Sequence, residues 1–97
     1  ANFISVVMTA FQETENALQS VERANKAFEF RTEGLKNAKM IETLYHSQFT
    51  SGFIGAMIYL QAERTALQAG FDETQARLDR LTATIQLIKS IGGSWQK

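Results

Sequence analysis

Apolar side chains return at alternating steps of three and four along nearly the whole chain. A first series runs Phe3, Val7, Ala10, Thr14, Ala17, Val21, Ala24, Phe28, Arg31, Leu35, Ala38, Glu42, Tyr45, Phe49 and Gly52. A second runs Phe53, Met57, Leu60, Arg64, Leu67, Phe71, Thr74, Leu78, Leu81, Ile85, Ile88, Gly92 and Trp95. About three quarters of these positions are apolar against 44% for the chain, so composition does not account for the pattern. A mean step of 3.5 residues predicts helices wound in a left-handed supercoil. Between the two series, residues 46–55 gather Ser47, Thr50, Ser51, Gly52 and Gly55, the makings of a turn. The predicted fold class is all-α: a long antiparallel two-helix coiled-coil hairpin. Arm one covers about 3–48, the tip 46–55 and arm two 54–91, with a Gly-Gly-x-Trp stop at 92–97. Each arm is about 60 to 70 Å long at 1.5 Å per residue. The chain has no proline, so nothing in it breaks a helix outright.

Folding the chain about Ser51 predicts which positions meet: Tyr45 with Met57, Leu35 with Leu67, Ala24 with Leu78, Ala17 with Ile85 and Val7 with Trp95. Small residues of arm one then face large ones of arm two, and the axes approach closely. Glu42 and Arg64 fall about one turn apart across this seam. They either form an ion pair or lay their stems on it with heads in water. On the opposite face of arm two, Ala62, Ala69, Ala76 and Ala83 repeat at intervals of seven beside Gln61, Gln68 and Gln75. This row reads as a second helix-packing surface, although alanine also suits a helix on propensity alone. On the first reading, Ala69→Glu or Ala76→Glu disturbs assembly and leaves the hairpin helical. A rod two helices thick encloses no compact core, so its stability is expected to come from neighbours.

Ninety-seven residues make one domain at most, and ten basic side chains balance ten acidic ones. That balance argues against a nucleic-acid or anionic-membrane surface, which needs a concentrated positive field. No apolar run is long enough to span a bilayer, and no signal-peptide pattern is present. With no cysteine and one histidine, His46, a metal site is not expected, nor is any cofactor. No phosphate loop, nucleophile elbow or Ser/His/Asp set points to an enzyme. Glu13, Glu15, Glu22 and Glu29 read as a solvated face.

Four blocks carry a more specific signal. Phe3-x-x-x-Val7-x-x-Ala10-Phe11-x-Glu13-x-x-x-Ala17-Leu18 opens the chain, and Phe49-Thr50-Ser51-Gly52-Phe53-Ile54 forms the turn. Leu60-Gln61-Ala62-Glu63-Arg64 begins the return, and Gly92-Gly93-Ser94-Trp95 closes it. In this order they resemble the C-terminal periplasmic helical hairpin of the TolC-like outer membrane factors, trimeric exit ducts of Gram-negative efflux pumps and type I secretion systems. The resemblance implies a periplasmic portion of an outer membrane protein, with the membrane strands outside these residues. It also implies a homotrimeric parent and a tip that meets a periplasmic adaptor through Phe49, Gly52, Phe53 and Ile54. Gly52 is the position expected to need a positive φ. Ile58 and Gln61 stand where the family often carries the carboxylates of a charged constriction, which puts an acidic gate in doubt. A hairpin cut from its ring is expected to form a non-native dimer or tetramer. The competing reading is a free-standing, self-associating hairpin acting as scaffold or adaptor; heptads would then explain Leu and Ala, but not the tip motif or the Gly-Gly-x-Trp ending.

Overall fold

The computed structural model describes the backbone of residues 3–95 and the side chains of residues 3–92. Two helices account for it: α1, Phe3–Thr50, and α2, Ala56–Trp95. They run antiparallel side by side, since Phe49 meets Tyr59 near one end while Phe28 meets Arg80 far along the pair. The molecule measures 74 × 15 × 15 Å, the length of a 48-residue helix and the thickness of two.

The turn between the helices is set by hydrogen bonding. Phe53 N–H donates to Gln48 O at 2.9 Å and Gly52 N–H to Phe49 O at 3.1 Å, the paired bonds of a Schellman motif with Gly52 in its left-handed position. Gly52 has φ +85°, which only glycine adopts without strain. Thr50 and Ser51 hydroxyls fold back and donate to the carbonyls of His46 and Ser47, the latter also accepting from Ser51 N–H at 3.1 Å. α2 starts on Gly55, whose carbonyl accepts from Tyr59 N–H at 3.3 Å.

α1 turns the expected series inward: Ala10, Thr14, Ala17, Val21, Ala24, Phe28, Leu35, Ala38, Glu42 and Tyr45 are all buried or half-buried. α2 does the reverse of what its sequence predicts. Its inward face is Tyr59, Ala62, Ala66, Ala69, Glu73, Ala76, Arg80, Ala83 and Leu87, so the alanine row is the seam within the hairpin. Met57, Leu60, Leu67, Phe71, Leu78, Leu81, Ile85 and Ile88, expected in the seam, face outward. The turn explains the exchange. It places Tyr59 against Phe49 as the first inward residue of α2, and steps of three and four from Tyr59 lead to the alanines. Alanines also let the bulky Phe28, Leu35 and Tyr45 of α1 approach the α2 backbone; Leu35 Cδ1 lies 3.8 Å from where a Cβ on Gly70 would sit. The pairs expected with Met57, Leu67, Leu78 and Ile85 are therefore not made, and the one between Val7 and Trp95 lies outside the described side chains.

Two contacts across the pair fix the register, and a third charge pair lies within α2. Arg31 pairs with Asp72 at 3.8 Å, while Glu42 and Arg64 form no ion pair. Arg31 and Asp72 are both substantially exposed, so the pair contributes at most about 1 kcal/mol. The Arg80 guanidinium stacks on Phe28 at 4.0 Å from the ring centroid. Glu73, 9% exposed, keeps its Oε1 2.7 Å from Arg77 Nη2. This is a charge contact off the angle of a hydrogen bond, so the oxygen has a counter-ion but no directed donor. α2 does not stop at Gly92; it continues through both glycines to Trp95. Glycine disfavours a helix interior by only about 1 kcal/mol, and no proline follows to force an end.

Candidate partner-binding surfaces

The tip brings three of its four expected residues into distinct roles, with Ile54 half-buried beside them. Gly52 makes the turn. Phe49 stacks on Tyr59, rings 5.3 Å apart and 7° from parallel, and keeps 39% of its surface exposed. Phe53 is 83% exposed.

Sequence reasoning missed Tyr59. Its ring lies between Phe49 and His46, the latter edge-on at 5.4 Å, and its hydroxyl donates to Glu63 Oε2 at 3.4 Å. Loss of water around the phenol, then the Glu63 carboxylate and its hydrogen bond, and lastly Glu42, push the hydroxyl above the ordinary tyrosine value. The clasp holds the two arms together directly above the turn. A signal for it was present: His46 and Phe49 lie in the last five residues of α1, and Tyr59 in the first turn of α2.

Beside the clasp an open groove of about 320 Å³ is lined by Ala38, Ile41, Tyr45, Ile58, Gln61 and Thr65, with Ala62 at its floor. Ile58 and Gln61, the positions where carboxylates were in question, are thus neighbours on one concave, uncharged surface. The second surface is the outer face of α2, whose Leu and Ile side chains are half or more exposed over most of the helix. Among the described residues no cluster of His, Asp and Glu is placed to hold a metal, and no helix is long and apolar enough to cross a membrane.

The family model for outer membrane efflux proteins matches residues 1–93. The chain belongs to the outer membrane efflux protein family. Among its curated relatives, the pyoverdine export outer membrane protein OpmQ of Pseudomonas aeruginosa is 31% identical over 90 residues, 93% of this chain and 19% of the relative. The OpmQ protein of Pseudomonas putida is 22% identical over 90 residues, again 93% and 19%. The solvent efflux pump outer membrane protein SrpC of Pseudomonas putida is 24% identical over 95 residues, 98% of this chain and 20% of the relative. The chain spans about a fifth of the length of the curated relatives it matches. No solved structure matches it. The efflux protein family match reaches from arm one across the tip into the end of arm two, so the resemblance seen in the four sequence blocks holds along the hairpin as a whole.

Proposed function

We propose that this hairpin is a stave of the periplasmic α-helical tube of a trimeric outer membrane efflux channel, and that its tip meets the periplasmic adaptor of the pump. Its work is mechanical and conductive. Hairpins from three subunits close around a lumen, substrate passes along it, and no bond is made or broken by the protein. The observation that supports this best is the pair of opposed faces on α2. One face, alanine-rich, is used by α1; the other, Leu- and Ile-rich, is available to the next helix of a ring. A helix that needed only one partner would carry charge on its back.

At the tip, Phe53 supplies an exposed aromatic and the groove by Ile58 and Gln61 supplies an uncharged concavity, a combination suited to an apolar helical tip of the adaptor. The absence of carboxylates at Ile58 and Gln61 removes the means by which cations would hold this part of a constriction closed. The test is made in the full-length channel carrying this segment. Phe53→Asp is expected to leave trimers intact on native gels while abolishing adaptor cross-linking at the tip and lowering efflux-dependent resistance several-fold. Unchanged resistance with unchanged cross-linking would remove the tip from the adaptor contact. Loss of the trimer itself would assign Phe53 to assembly instead.

A further inference from the structure

The outer face of α2 is a long, continuous uncovered apolar stripe. Eight side chains from Met57 to Ile88, each 45% exposed or more, occupy it. At on the order of 100 Å² apiece they offer roughly the 800 Å² per partner that a stable interface uses. We infer that in the free chain this face is covered by the same face of a second copy, α2 against α2, antiparallel about a two-fold axis.

The chemistry of the stripe suits its own reverse. The run from Met57 to Ile88 has its midpoint between Asp72 and Glu73, both of which point away from it. A two-fold axis there sets Leu60 against Ile85, Leu67 against Leu78, and Phe71 against Thr74 of the second copy. Arg64, the one charge in the stripe, falls opposite Leu81 and within a turn of Asp79 of the second copy. A surface that meets itself must avoid bringing like charges together, because an isologous contact repeats every conflict twice. Here one flank of the stripe is Gln61, Gln68, Gln75 and Thr82, with no charge at all. On the other flank the nearest neighbours, about two residues past that register, are Thr84 for Glu63 and Arg77 for Gly70, so again no like charges meet. This pairing does not depend on the tube reading: in a ring all hairpins point the same way, whereas the two-fold axis sets them opposed.

Light scattering on the 97-residue chain at tens of micromolar is expected to give twice the 10.9 kDa chain mass. A monomer at that concentration overturns the inference and leaves the face to a helix of different sequence. Because the chain has no cysteine, orientation can be read directly. Oxidation of the double variant Leu67→Cys, Leu78→Cys is expected to give several-fold more covalent dimer than Leu67→Cys alone. Equal yields would indicate parallel or unspecific pairing and overturn it. Leu67→Glu should raise the dissociation constant at least about tenfold with helicity retained, since the carboxylate is buried twice per dimer. A dimer indifferent to Leu67→Glu would have formed through another face. Efflux in the full-length channel plays no part in these readouts, so failure here and failure of the tube reading are separate results.

Discussion

Gly52 carries the left-handed backbone on which the whole hairpin turns, at φ +85° with nothing within 4 Å of where a Cβ would be. Space is therefore not the constraint; backbone conformation is. Gly52→Ala is expected to destabilise the chain by about 1 to 2 kcal/mol, read as a lower urea midpoint with an unchanged slope. Gly70 is the contrasting position. It is helical, and an added methyl would meet Leu35 Cδ1 at ordinary contact distance, so Gly70→Ala should stabilise by up to about 1 kcal/mol in the same measurement. At Tyr59 the consequence is one of pH. A hydroxyl that holds its proton more tightly in the folded chain contributes stability that is complete below the unfolded value of about 10 and is lost as pH rises through the higher folded value. The melting temperature of the wild type should thus fall relative to that of Tyr59→Phe above about pH 10, and parallel profiles would show that the Glu63 and Glu42 carboxylates do not act on this phenol.

At the scale of the helices, the sequence is explicit about period and turn and silent about phase. The series from Ala10 to Tyr45 could be read directly because in α1 the heptad stripe is the face that meets α2. α2 carries two stripes half a turn apart, and the greasier one was the natural choice for the seam. What overrides hydrophobicity is the turn: three residues after Gly52 start the helix at a rotation that turns Tyr59 and then the alanines inward. Such a rotation follows from backbone geometry, which periodicity does not contain. The same blind spot hid the Tyr59 clasp, whereas Gly52 was legible because turn chemistry is local, and Phe53 because it sits in that turn. The exchange reverses an expectation. Ala76, 6% exposed, faces α1, so Ala76→Glu should damage the hairpin itself by burying an unpaired carboxylate. Circular dichroism should show lost helicity and a shallow melt, instead of the intact but unassembled hairpin that the sequence pattern suggested.

For the molecule as a whole, the question is what holds a rod 74 Å long and 15 Å thick together. Among the described residues no side chain is fully buried, and the most buried apolar ones are alanines: Ala17, Ala62, Ala66 and Ala76. Each covers little more than a methyl group, worth about 0.8 kcal/mol, while many larger apolar side chains, the whole outer stripe of α2 among them, stay exposed. A chain built this way places most of its available hydrophobic energy in contacts it cannot make alone. Its stability should then depend on concentration by mass action, because any assembly that covers the outer face binds the folded hairpin and not the unfolded chain. Thermal melts of the 97-residue chain are expected to shift upward by several degrees for each tenfold increase in concentration, as for a small domain gaining about 1 kcal/mol. Phe71→Ser, outside the seam and 75% exposed, should flatten that dependence while leaving the most dilute melt nearly unchanged. A melting temperature independent of concentration would mean that the alanine seam, with the Tyr59 clasp and the Phe28–Arg80 stack, is sufficient by itself, and the outer face would no longer be needed to account for the fold.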